Sequence, residues 1–223
     1  MRTRESGIAA VVVVIGAGGL VGCGKAHHHE PVDTSKVFTV EKTFGSGFKT
    51  KTKGPTDINP KMLGPEKLPP GVNFDPEDCR DYVTSGRLPQ GTRGRMSVLA
   101  ADGEGNRFTA IAVQAEKDVP FDAEIAKKCE HVTFEAGKLT GYVDEVEAPH
   151  IDGATTVGSH RQIEIALPEG QRSTEIYSFT AYLGDWLVLV TAGPLTAKGQ
   201  APPPVDTDRA RQLLTDSVAA LRD

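Results

Sequence analysis

The sequence lacks a basic excess, a sizeable aromatic content and any nucleophile motif. Its 25 basic residues are outnumbered by 30 acidic ones, for a formal charge of −5. Binding to nucleic acid rests on neutralising phosphates, so this balance argues against a nucleic-acid partner. With one tryptophan and four tyrosines, a stacking platform for carbohydrate has little to build on. There is no Gly-x-Ser-x-Gly elbow, and no cofactor is implied. Only three cysteines occur, at 23, 79 and 129.

One stretch invites a cofactor reading. VVVVIGAGGLVGC at 11–23 opens like a dinucleotide-binding strand and glycine turn, which needs three glycines at fixed offsets followed by a helix. Gly16 and Gly18 supply two of them, but the third offset falls on Val21. The segment that follows, CGKAHHHEPVDTSK, has no helical period and carries Pro31. A secretory reading accounts for the whole stretch. Arg2 and Arg4 form a positive start, residues 8–15 an apolar core, and LVGC at 20–23 an ending with small residues before a cysteine. No charge occurs between Ser6 and Gly24, which approaches a membrane span. The four glycines between 16 and 22 disfavour a stable helix, so a cleaved signal is the better reading.

The expected organisation is therefore a signal peptide at 1–22, a flexible tether at 23–36 and a single exported domain at 37–223, with a well-packed core from about residue 72. Residues 1–22 contain Arg2, Arg4 and Glu5, which leaves 23 basic and 29 acidic residues and a charge of −6. As a coil the tether spans on the order of 20 Å. Its run His27, His28, His29 with Glu30 has metal-ligand chemistry but, on a floppy segment, no fixed geometry. Cys23 closes the signal segment, which leaves Cys79 and Cys129 in the domain. In an exported chain such a pair is most simply a disulfide, with a metal site or a reactive thiol as alternatives.

Within the domain, Lys49, Lys51 and Lys53 alternate with threonines and read as a solvated strand edge or a loop leaning on anionic lipid. The core opens with DPEDCRDYVTSG. Asp75 is placed to cap a helix running to about Gly86, with Cys79, Tyr82 and Val83 on one face. RMSVLAAD and NRFTAIAVQAE flank the turn DGEGN as a hairpin, and FDAEIAKKC forms a second short helix. Five strand-like segments follow: HVTFEA, LTGYVDEVEA, TTVGSHRQIEIAL, TEIYSFTAYLG and DWLVLVTAG. The chain then closes with an amphipathic helix whose inner face carries Ala210, Leu213, Leu214, Val218 and Leu221. The fold class expected is α+β, an antiparallel β-sheet of about six to seven strands packed with two to three helices and one disulfide.

LVGC at 20–23, LPPGVNFDPEDC, the second cysteine ending FDAEIAKKC and the closing GDWLVLVTAG together resemble mycobacterial and related actinobacterial lipoproteins of unknown function. Their exported domain is similar to the extracytoplasmic sensor domain of a mycobacterial serine/threonine kinase. The resemblance implies lipid on Cys23, a location at the outer face of the cell membrane, and a ligand-binding or sensing role. That kinase group is expected to carry a second cysteine pair, which this chain lacks.

The candidates for chemistry are sparse. Ser159 and His160 adjoin, with Asp152 nearby, but neighbours along a strand point to opposite faces. His131 and His150 are isolated. Asp144, Glu145 and Glu147 offer a cation site or an acidic strand edge. The expected class is thus a non-catalytic, membrane-anchored module, with a structural lipoprotein as the alternative. Its expected partners are the membrane through Cys23, and a small apolar ligand or an envelope protein.

Overall fold

The computed structural model describes residues 31–65, 67–168, 170–196 and 200–223. The expected signal peptide, Cys23 and the three histidines of the expected tether lie outside the described residues.

One antiparallel sheet organises the domain. Its strands are β1 (Phe48–Asp57), β2 (Asn73–Asp75), β3 (Gly94–Gly103), β4 (Asn106–Ala115), β5 (His131–Ala136), β6 (Leu139–Val146), β7 (Thr155–Leu167), β8 (Gly170–Leu183) and β9 (Trp186–Pro194). In space they run β1-β3-β4-β9-β8-β7-β6-β5-β2. β5 to β9 form a meander. β9 then pairs with β4, which joins the meander to the β3–β4 hairpin. Glu104 and Gly105, both at positive φ, make the two-residue turn whose twist suits that hairpin.

Nine strands among the described residues correct the expected six to seven, and the two additional ones are the edges, β1 falling on the lysine–threonine stretch that reads as a strand edge or a loop. β1 pairs with β3 from Phe48↔Gly103 to Asp57↔Arg95, with an irregularity between Lys53 and Thr56. Its middle, KTKGP, is exposed on both faces, so no apolar alternation marks it as a strand. Pro55 lacks an N–H and sits within this irregularity at the open edge, where proline is tolerated. β2 is only three residues long and pairs with β5 through Asn73↔Glu135 and Asp75↔Thr133.

Two helices cover one face of the sheet. The first, α3 (Thr207–Arg222), buries Ala210, Leu213, Leu214, Val218 and Leu221, and the Asp206 side chain accepts from the Arg209 amide to cap it. The second is a 3-10 helix at Thr34–Thr43, in which Thr34, Val37 and Val40 are buried. A period of three residues per turn stacks these positions on one edge. Thr34 shares a hydrogen bond with Ser97 at 2.9 Å, and the Val32 amide donates to Gln114 Oε1 at 2.8 Å. Packing therefore reaches residues placed from sequence at the end of the tether. The core on this face includes Leu99, Phe108, Ala110, Phe179, Val188 and Val190.

The opposite face carries α1 (Arg80–Thr84) and α2 (Ala123–Lys128). The helix read from Asp75 to Gly86 is shorter than its capping signals imply. Asp75 stays in β2, and a 3-10 turn at Glu77–Cys79 precedes α1. Asp122 caps α2 by accepting from the Glu124 and Ile125 amides. A disulfide joins Cys79 to Cys129, with their Cα atoms 5.6 Å apart.

Candidate functional site

Two apolar clusters lie on the disulfide face, and they do not meet. One packs the 58–63 segment over β3, β4 and β9, through Leu63, Met96, Val98, Ile111, Val113, Leu187 and Leu189. The other surrounds the disulfide over β2 and β5, through Val72, Phe74, Val83, Val132 and Phe134. The strand order places β8, β7 and β6 between them. Their exposed central portion is the floor of a cavity of about 270 Å³.

Alternation along each strand selects the floor residues. Ser159, Arg161 and Ile163 of β7 point into the cavity side, as do Thr174, Ile176 and Ser178 of β8, with Val143 and Leu189 at the margins. One wall is 62–65 and the other includes Tyr82, Val83, Ser85 and Arg87. The walls touch at Gly64 and Gly86. A Cβ on Gly64 would lie 3.4 Å from the Gly86 Cα, so glycine permits this approach. The Arg87 amide also donates to the Leu63 carbonyl at 3.1 Å.

The cavity is mostly apolar with a polar end. Arg87 Nη2 donates to Ser159 Oγ at 3.3 Å. Burial pushes the phenols of Tyr82 and Tyr182 upward, against the opposing pull of the Arg87 charge on both. Both phenols therefore remain neutral hydrogen-bonding groups at physiological pH. Arg161 is buried, with its guanidinium carbon 5.3 Å from the centre of the Phe134 ring. Apolar walls with a few placed polar groups are the usual make-up of a small-molecule site.

The other sequence candidates do not assemble. Ser159 faces the cavity, whereas His160 faces the α3 side, where it stacks on Tyr177 at 4.1 Å and its Nε2 lies 3.0 Å from Glu175. Asp152 pairs with His150 in an exposed turn at 3.2 Å. Asp144 pairs with His131, and strand alternation turns Glu145 away from it. Among the described residues, no group of three or more His, Cys, Asp or Glu is placed to hold a metal ion, and no helix is long and apolar enough to cross a membrane. Sequence reasoning missed the cavity and with it Arg87, Arg161 and Ser178. A period-2 signal was present in β7, where Ser159, Arg161, Ile163, Ile165 and Leu167 run from polar to apolar along one face.

Comparison with known proteins gives a family and one close fold. The X-ray structure of an uncharacterized protein from Mycobacterium smegmatis, the Rv0999 ortholog, is similar at 41% identity and a TM-score of 0.80. That match covers 87% of this chain and 99% of the other. The extracellular domain of PknH from Mycobacterium tuberculosis matches at 15% identity and a TM-score of 0.39, over 84% of this chain and 91% of that one. The second likeness is too low to transfer fold or function. Among curated proteins none matches. Residues 33–222 match a domain of unknown function, DUF5642, and with nearly the whole described domain inside that match the chain belongs to the DUF5642 family.

Proposed function

We propose that the chain is a cell-envelope lipoprotein, anchored at the extracytoplasmic face through lipid on Cys23, whose domain binds or senses a small ligand without converting it. The observation that carries this reading is the cavity of about 270 Å³ between the two apolar clusters of the disulfide face. Its size is near the lower end of ligand pockets, which run from about 300 to 1,000 Å³. Ser159, the hydroxyl nearest to a histidine in sequence, is held by Arg87 on the face away from His160. The pocket is thus built for contact rather than for nucleophilic attack.

Two features support the envelope location. A disulfide between Cys79 and Cys129 belongs in an oxidising compartment. LVGC at 20–23, after an uncharged apolar run, has the chemistry for thioether acylation. The intact mass of the wild-type protein is expected to include a diacylglycerol group that Cys23→Ala lacks; an unacylated wild-type mass contradicts the anchor. Native mass spectrometry of the domain purified from its own envelope tests the binding role. A reproducible small-molecule adduct is expected. A clean apo mass with a co-purifying protein would instead favour an interaction lipoprotein.

A further inference from the structure

We propose that the ligand of this cavity is an anionic amphiphile, with its carboxylate or phosphate at Arg87 and its acyl chain along the apolar face of the β7–β8 hairpin. This rests on the ligand-binding reading above. The charged end is defined by Arg87. Its side chain donates to the neutral Ser159 hydroxyl, and it has no ion pair among the described residues. Tyr82 and Tyr182, both within reach of its charge, are neutral at physiological pH. A half-buried guanidinium among hydroxyl groups retains donors suited to a carboxylate or phosphate. Glu145, which acts on the Tyr82 phenol, lies opposite Ser159 on β6, and Glu175, the one carboxylate among the lining residues, meets His160 Nε2 at 3.0 Å on the α3 side.

The apolar end comes from an independent observation. Ile165, Leu167 and Ile176 are the large hydrophobic side chains left exposed among the described residues, at 36%, 37% and 39%. All three belong to one hairpin, and the register places them on the cavity side of the sheet. Ile176 lies opposite Arg161, and Ile165 and Leu167 continue the row of Ile163. β8 pairs with β9 only from Tyr177 onward, so the hairpin end projects beyond β9 and leaves this row open. From Ser159 to Leu167 the strand spans roughly 26 Å at about 3.3 Å per residue, the scale of a long acyl chain. The cavity alone is too small for the whole of such a chain. A tail entering it and continuing along Ile163 and Ile165 covers what the fold leaves exposed.

The test compares palmitate, hexadecyl phosphate and 1-hexadecanol as displacers of a fluorescent fatty acid from the delipidated domain. Palmitate or hexadecyl phosphate is expected to bind at least about tenfold tighter than the alcohol, the worth of one charge-assisted hydrogen bond, and their order separates the two head groups. Arg87→Gln is expected to remove that preference and leave alcohol binding in place. Ile165→Asp with Ile176→Asp is expected to weaken all three by more than tenfold. Equal binding of acid and alcohol, or a preference that survives Arg87→Gln, overturns the anionic class and leaves the ligand cavity standing. Failure of all three to bind overturns the amphiphile as a whole, while a different adduct on the native protein would still support the cavity.

Discussion

Replacing Cys79 and Cys129 together by alanine is expected to destabilise the domain by about 4 kcal/mol, the chain-entropy value for a loop of this size. The bridge spans 50 residues and encloses β3 and β4, which lie between β1 and β9. Its local role is as important. α1 has five residues and α2 six, far below the length at which a helix persists unaided. Together with Val83, Val132 and Phe134, the bridge is what fixes them to the sheet. Since Tyr82, Val83 and Arg87 form one wall of the cavity, the double variant is expected to lose ligand affinity as well. Denaturant unfolding of the oxidised domain and the variant checks the first effect, and ligand titration the second. An unchanged midpoint would show that the bridge contributes nothing beyond the packing around it.

Phe179→Ala is expected to cost about 3–5 kcal/mol, the range for emptying a fully buried aromatic position. Phe179 is completely buried between the sheet and α3, with the Arg211 guanidinium carbon 5.2 Å from its ring centre. Gly158 lies opposite on β7, and a Cβ there would come within 3.1 Å of the ring. The ring therefore occupies space that the neighbouring strand has left for it. Phe179 and Ser178 are adjacent in sequence but face opposite sides of the sheet, so this variant should lower the unfolding midpoint without changing ligand affinity in the molecules that remain folded. A loss of affinity equal to that of the disulfide variant would contradict the separation of the two faces. A midpoint near wild type would contradict the packing account.

The contrast shows which parts of the molecule were legible from sequence. α3 was, because Ala210, Leu213, Leu214, Val218 and Leu221 repeat at the helical period against one surface. The seven strands from β3 to β9 were, because each carries apolar residues that are buried or, in β6, half-buried. β1 was not counted because Lys49, Lys51 and Lys53 alternate with threonines and bury neither face; backbone pairing to β3 holds it in place. The 3-10 helix has no clear signal because Thr34, Val37 and Val40 follow a period of three across the expected boundary between tether and domain at 36–37. The cavity was the least visible feature. It is the gap between two clusters brought together by the order β9-β8-β7-β6, and Arg87, one of the two guanidinium groups that line it, comes from a loop with no pattern of its own.

The most direct test of the ligand-binding account is native mass spectrometry of the wild-type domain and Ser178→Trp, each purified from its own envelope. Ser178 lines the cavity floor on the face away from α3, so an indole there should fill the site without disturbing the α3 face. The account predicts a reproducible small-molecule adduct on the wild type, and an adduct-free plugged variant with an unchanged unfolding midpoint. An adduct retained by the folded Ser178→Trp domain, or a wild type that carries none, would contradict it.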